Sequence, residues 1–346
     1  MADHSINILI TGGGAPGAAG VIRCLRELTS IKIIVADARK EVAGTFLGDV
    51  FTQVPKAEDP LFIDTIINIC AKERIDLLLP LVTKELLPLA ISRAKIERTG
   101  ATLLLSSADS LEIANDKGKL YQFLQWRGIP VPAYQIIDNL HDFDNAVLEL
   151  GYPGKTIVCK PCFSNGSRGV RILTPMIDKQ DLLFNYKPGS LLTTLAEFRD
   201  ILVDGIFPPL LISEYLPGDE YSVDCVADNG SSLLIVPRLR IKMLGGITIE
   251  GEFIENDFII NYCKKMIEEL RLDGNIGIQV KQDINGEFRL LEINPRVQGT
   301  ISAALGAGVN LPVLAIKQKL SMAIYPRELD VRWGTKFIRI WNEIYY

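Results

Sequence analysis

A few charged and amide residues stand where such groups do chemistry. Lys160 lies in the apolar run "TIVCKPCF", and a charge between strand residues is usually paired or functional. It leads into "SNGSRG", where Ser164, Asn165, Gly166, Ser167 and Gly169 are small enough for backbone amides to fold over an anion. Arg168 in the same loop reads as a phosphate contact or as a solvated side chain. Lys117 in "NDKGKL" is a second cation, and by itself it reads equally well as a solvated helix lysine. Glu292 and Asn294 in "LLEINPR" are two residues apart, so they share one face of a strand. With Gln279 on the neighbouring run "NIGIQVKQD" they offer hard oxygen donors, the type that holds magnesium against a phosphate. Glu214 and Glu220 flank a turn in "SEYLPGDEYSVD" and suit a base amine and sugar hydroxyls, although Glu214 could simply pair with an arginine.

A competing signal stands at the start of the chain. Gly12, Gly14 and Gly17 in "ILITGGGAPGAAG" fit G-x-G-x-x-G after an apolar run, and Asp37 closes the next such run. That is the spacing of a dinucleotide-binding turn, in which backbone amides approach a pyrophosphate. Asp37 can equally cap its own turn.

Composition narrows the classes. The chain has 346 residues, 48% hydrophobic and 23% charged, with a formal net charge of -5 and no Lys/Arg block. Nucleic acid and anionic membranes are therefore not expected as partners. No apolar run reaches the roughly 18 residues of a membrane span, and Asp3 and His4 spoil a signal-peptide start, so a cytoplasmic setting is expected. Two histidines, His4 and His141, leave little for Ser-His-Asp catalysis or histidine metal sites. Six cysteines show no framework spacing. Cys159 and Cys162 match C-x-x-C, but they sit on a strand running into a loop rather than at a helix start. Ordinary thiols are the expectation there.

The elements that must position these residues follow from periodicity. "INILIT", "IKIIVAD", "DLLLPLV" and "ATLLLS" are near-continuous apolar strands, alternating with helical stretches near 17–29, 60–73 and 84–98. That alternation predicts a parallel sheet covered on both faces. One linking helix is expected through "SADSLEIANDKGKLYQFLQWRG". A small unit follows, with a helix over 140–150, a strand over 155–161 and the strand "GVRIL". From about 208 the pattern is mostly antiparallel, with turns at Asp228-Asn229-Gly230 and Asn285-Gly286, helices near 255–271, 300–307 and 311–322, and "TKFIRIW" on an edge.

In the ordered set "NDK", "GIPVP", "CKPCFSNGSRG", "SEYLPGDEYSVD" and "EINPR", the chain resembles the ATP-grasp superfamily. It is most similar to stand-alone proteins like one half of the carbamoyl-phosphate synthetase large subunit. The resemblance runs to about residue 322. It implies a parallel α/β pre-ATP-grasp domain at 1–115, a linker helix and small lobe with a glycine-rich flap at 116–207, and a large lobe with the metal site at 208–346. It implies that Lys117 and Lys160 contact ATP phosphates under the flap. The backbone of Glu214, Tyr215 and Leu216 would meet adenine and Glu220 the ribose. Gln279, Glu292 and Asn294 would hold one or two magnesium ions, with manganese as a substitute. Gln279 departs from the acid that many members carry.

The activity implied is an ATP-dependent ligase that joins a carboxylate to an amine through an acylphosphate. Arg296, with Arg240 as second choice, would bind the carboxylate or stabilise the tetrahedral intermediate. Gly13, Gly14, Arg238 and Lys242 are tentative substrate contacts, within specificity loops near 12–18, 80–86 and 240–252. A homodimer is an open expectation. Two rivals remain: an NAD-dependent epimerase or reductase built on the glycine turn, and a non-catalytic nucleotide-binding regulator. The first lacks a Tyr-x-x-x-Lys pair in the expected region, and the second would need damaged metal ligands.

Overall fold

The computed structural model describes residues 5–164, 166, 168–185, 190–203 and 207–346. They fall into two compact units. The first comprises 1–114, 220–280 and 292–346; the second comprises 115–219 and 281–291.

The first unit opens with a parallel sheet. Its elements are β1 (Ile6–Thr11), α1 (Ala18–Leu25), β2 (Ile31–Asp37), α2 (Ala43–Leu47), β3 (Val50–Gln53), α3 (Phe62–Glu73), β4 (Leu77–Pro80), α4 (Thr83–Ile91), α5 (Arg93–Glu97), β5 (Thr102–Leu103) and α6 (Ala108–Ala114). The strand order is β3-β2-β1-β4-β5, so the chain reverses direction across the sheet between β1 and β4. The apolar runs are buried on both faces, as their unbroken hydrophobicity requires. Leu9, Ile34 and Leu78 pack against Phe62 and Ile66 of α3. On the other face Ile8, Ile33 and Leu77 share a core with Ile22 of α1, and with Val226, Ile301 and Leu311 from the far end of the sequence. Each fully buried side chain of this kind contributes about 1.5–3 kcal/mol. The helix expected over 84–98 is two pieces, because Ser92 leaves helical geometry (φ -92°, ψ 8°) between them.

The second unit begins with α7 (Lys117–Trp126), β6 (Tyr134–Ile137), α8 (Leu140–Glu149), β7 (Ile157–Pro161) and β8 (Arg171–Leu173). It continues with α9 (Lys179–Asn185), β9 (Leu192–Thr193), α10 (Leu195–Val203) and β10 (Leu210–Glu214). The expected single linking helix is broken at Asp116, whose carboxylate accepts the amides of Gly118 and Lys119 and so starts α7 afresh. The sheet order is β6-β10-β7-β8-β9. β10 pairs antiparallel with both β6 and β7, with Leu211 opposite Lys160.

The remaining elements are β11 (Glu220–Asp228), β12 (Ser231–Leu244), β13 (Ile247–Phe253), α11 (Asp257–Glu269), β14 (Gly274–Gln282), β15 (Phe288–Asn294), α12 (Leu311–Lys319) and β16 (Lys336–Ile338). A short 3-10 turn at Ile301–Leu305 replaces the helix expected near 300–307. The strand order is β15-β14-β11-β12-β13-β16, with β16 on the edge. Asn229 and Gly230 both take positive φ (44° and 91°), the turn that the right-handed twist of a two-residue hairpin favours.

Candidate active site

In the second unit the chain gathers its buried cations around one stretch. Lys117 is the first residue of α7; its amide donates to the Cys162 carbonyl and its Nζ to the Ser164 carbonyl at 2.6 Å. Lys160, on β7, donates from Nζ to the Leu291 carbonyl at 3.0 Å and to the Tyr121 hydroxyl at 3.3 Å. Tyr121 is fully buried on α7 and donates in turn to the Leu290 carbonyl at 2.6 Å. Both ammonium groups are thus buried and held by neutral oxygens. After Lys160 the backbone opens into the glycine-rich segment, where Gly166 and Gly169 take positive φ (62° and 75°). A side chain at 169 would also strike the Pro161 ring. Ser164 lies at its start, and Arg168 is exposed. Asn165 and Ser167, expected in the same loop, lie outside the described residues.

The stretch after β10 is in the same unit. Glu214 pairs with Ala133 twice, through its own amide and through Oε1, which accepts the Ala133 amide at 2.9 Å. Tyr215 is partly exposed, with the Lys281 ammonium over its ring at 5.3 Å, and Leu216 is buried.

In the first unit Gln279 lies on β14 and Glu292 and Asn294 on the adjacent β15. Glu292 Oε1 accepts from Asn294 Nδ2 at 3.0 Å, and Asn294 Oδ1 accepts from Arg296 at 3.1 Å. Arg296 also donates to Thr83 Oγ1 and the Val297 carbonyl. Burial pulls its pKa down, and the Glu292 charge opposes that shift. Arg240 is buried, donating to Glu220, the Gly246 carbonyl and Thr248 Oγ1. Burial lowers its pKa as well, with Glu220 and Glu292 pulling the other way. Glu292 is therefore a carboxylate in a cationic setting. Among the described residues no three His, Cys, Asp or Glu side chains come together as a metal cage. One carboxylate and two amide oxygens fit magnesium, which keeps few protein ligands and completes its shell with water and phosphate.

Arg238, two residues before Arg240, is fully buried. It bonds Asp224 at 3.2 Å and lies over the Phe337 ring, while its Nε and Nη1 have no hydrogen-bond partner among the described residues. Lys242 is exposed.

The glycine turn is occupied by its own chain. The Gly12 and Gly13 amides donate to Ala36 O, and the Gly14 amide to Asp37 Oδ2 at 2.7 Å. Asp37 Oδ1 accepts the Arg39 amide, closing the turn after β2. A Cβ on Gly17 would come within 3.0 Å of the Gly299 Cα, so this glycine serves close backbone packing.

A cavity of about 790 Å³ opens beside the turn, lined in part by Gly14, Asp37, Arg39, Lys56, Lys84 and Glu85. Glu85 was not foreseen. It is buried in the first turn of α4 and accepts from Thr11 Oγ1. Burial, against the Thr11 hydrogen bond and aided by the Asp37 charge, raises its pKa from 4.5 to about 7. Its sequence signal was slight, a carboxylate between apolar residues in "TKELL".

The six cysteines are free and buried. Burial pushes Cys162 up to about 11 and Cys159 higher still. Thiols in that state are inert.

Residues 206–337 match a family model described as "ATP-grasp in the biosynthetic pathway with Ter operon", and residues 8–104 match "PylC-like, N-terminal domain". The carbamoyl phosphate synthase large chain of Clostridium acetobutylicum is 25% identical over 256 residues, 70% of this chain and 22% of that protein. The arginine-specific large chain of Bacillus subtilis is 22% identical over 282 residues, 79% of this chain and 25% of that one. The chain thus spans between a fifth and a quarter of the length of these relatives. Among solved structures, the ADP complex of N5-carboxyaminoimidazole ribonucleotide synthetase superposes with a TM-score of 0.70 at 17% identity, covering 94% of this chain and 80% of that one. The parallel α/β start and the antiparallel remainder give the chain the fold of the synthetase it superposes on, with residues 206–337 similar to ATP-grasp proteins and residues 8–104 to PylC-like N-terminal domains.

Proposed function

We propose that the protein is an ATP-dependent ligase that joins a carboxylate to an amine. A carboxylate oxygen takes the γ-phosphoryl group of ATP, and ADP leaves. The amine nitrogen then attacks the acyl carbon, phosphate leaves, and the nitrogen gives up a proton. The observation that carries this reading is the pair of buried ammonium groups, Lys117 and Lys160, set around the stretch that leads into the glycine-rich segment. Two buried cations beside a glycine-rich segment suit the charge of a phosphate ligand.

In this reading Lys117 and Lys160 bind phosphate oxygens, with amides of the 164–169 segment over them. The backbone at Glu214 to Leu216 receives adenine, and Glu220 the ribose. Gln279, Glu292 and Asn294 would hold magnesium, or manganese with its like preference for oxygen; the metal supplies charge neutralisation at the phosphates. Arg296 binds the carboxylate substrate, with Arg240 as a second candidate and Gly13, Gly14 and Lys242 as substrate contacts; Arg238, expected beside them, is fully buried on Asp224 and takes no part. The internal use of the Gly12, Gly13 and Gly14 amides counts against a dinucleotide pyrophosphate at the first turn. Six free thiols suit a reducing cytoplasm. A homodimer belongs to the same proposal.

Thermal shift with nucleotides tests the site. ATP with magnesium should raise the melting temperature, increasingly with nucleotide concentration, while NAD and NADP should not. Comparable stabilisation by NAD would return the function to the glycine turn. A screen for ADP release across small acids and amines then tests the reaction.

A further inference from the structure

Tyr121 lies on α7 with its side chain fully buried, and its hydroxyl stands among several polar atoms. It donates to the Leu290 carbonyl at 2.6 Å, and the Leu291 carbonyl lies at 3.3 Å. Lys160 Nζ donates to the same hydroxyl at 3.3 Å. A phenol has one proton. With that proton on Leu290, the oxygen meets Lys160 as an acceptor. The ammonium is 5.2 Å from the centre of the Tyr121 ring, so the hydroxyl holds it more closely than the ring does. The Leu291 carbonyl, at 3.0 Å, is a second acceptor for this Nζ.

The phenol ring is itself fixed. It meets the Tyr134 ring edge to face, with centroids 5.3 Å apart and planes at 88°, an arrangement that aromatic pairs prefer. Tyr134 lies on β6, and its hydroxyl donates at 2.9 Å to Oε1 of Gln125, one turn along α7 from Tyr121. Core filling accounts for the buried ring, and the Leu290 carbonyl accounts for the hydroxyl proton. Neither accounts for a lone pair aimed at the ammonium of a flexible four-carbon side chain.

We propose that Tyr121 is a positioning residue: its hydroxyl, held as an acceptor, aims the Lys160 ammonium at a phosphate oxygen of bound ATP. The inference rests on the ligase reading for the nucleotide and deepens it by naming a residue that acts through a phosphate contact. An ammonium oriented before the ligand arrives loses less freedom on binding. Tyr121→Phe leaves the lysine its charge and its Leu291 bond but frees it to turn. A pure packing role would act differently. It would lower stability, and any effect on the nucleotide would persist with no lysine at 160.

The experiment is a double-mutant cycle, read by titration calorimetry on the full chain with magnesium and a non-hydrolysable ATP analogue. The parent, Tyr121→Phe, Lys160→Met and the double variant are compared, each below its melting temperature. Phe keeps the ring that meets Tyr134, and circular dichroism checks the fold. Tyr121→Phe should weaken the analogue about three- to tenfold in the parent, and less than about twofold in the Lys160→Met background. Equal losses in both backgrounds, or no loss in either, overturn the inference. So does a Lys160→Met variant that binds like the parent, since the tyrosine then has no phosphate contact to set. A second reading needs no tyrosine variant: the NMR signal of the Lys160 ammonium, assigned by its absence in Lys160→Met, should exchange slowly with water in the nucleotide-free parent. Fast exchange there overturns the inference too. Absence of binding by the parent sinks the nucleotide reading, and the role of Tyr121 falls with it. Binding by the parent with additive losses sinks the tyrosine alone.

Discussion

The ammonium of Lys160 donates to the carbonyl of Leu291 at 3.0 Å, and Leu291 is the residue directly before Glu292. One peptide unit thus carries the acceptor for the candidate phosphate lysine and leads into the candidate metal carboxylate. A shift of that backbone would disturb both assignments together.

Lys160→Met should lower ADP release by about 10²–10³-fold, because one preorganised donor to developing phosphate charge is lost. Tyr121→Phe should cost less. It deletes the hydroxyl that holds Lys160 Nζ and the Leu290 carbonyl, a net loss of about 1 kcal/mol. Steady-state kinetics with varied ATP separates them, and equal loss in both variants would contradict a direct role for the lysine.

Glu292→Gln should remove turnover by more than about a hundredfold while leaving the fold intact, since loss of a metal-bound carboxylate is worth several kcal/mol. Circular dichroism and ADP release at limiting magnesium check it. Near-normal activity there would refute the metal assignment.

Glu85→Gln should change the dependence of stability on pH. The folded pKa, about 7, is above the ordinary 4.5. The native state therefore holds a proton that the unfolded chain has lost, and stability falls as pH rises through that window. Below 4.5 the variant and parent should match. By pH 8 the variant should be more stable by about 3 kcal/mol at most. Melting curves at pH 4 and pH 8 measure it; a constant offset would exclude this titration.

The double Cys159→Ala, Cys162→Ala variant should keep its activity and need neither zinc nor reductant. Both thiols are buried and protonated. A stability loss of about 1–2 kcal/mol from lost packing is expected. Inactivity with normal melting would point to thiol chemistry.

Arg238→Met should destabilise the protein by about 3–5 kcal/mol, because Asp224 is left as an unpaired buried carboxyl. Burial already pushes the Asp224 pKa up despite its arginine. Arg238→Met with Asp224→Leu should cost less than the single change, by chemical denaturation. A larger loss in the double variant would show that the pair is net stabilising.

The strands of the first sheet were legible because continuous apolar runs have one reading when both faces are buried. The hairpins at Asn229-Gly230 and Asn285-Gly286 were legible through their turn residues. β13 was not, since "ITIEGEF" mixes polar and apolar residues and its place between β12 and β16 is set by tertiary pairing. The sequence split at 208 followed the change to antiparallel patterning, whereas β10 pairs within the second sheet. Lys160 announced itself as a charge in an apolar run. Tyr121 and Glu85 did not, because their neighbours come from distant parts of the chain and no local pattern marks them.

Gly17 and Gly299 meet backbone to backbone, and α1 shares its core with Ile301 and Leu311. Recombination therefore meets an obstacle at residue 115, where the sequence offers an inviting crossover. An N-terminal segment exchanged from a relative there would arrive without its matching C-terminal surface. A bulky residue at either glycine position would keep the two halves from seating. Ancestral or laboratory chimeras of this protein should survive only when residues 12–25 and 297–316 are inherited together.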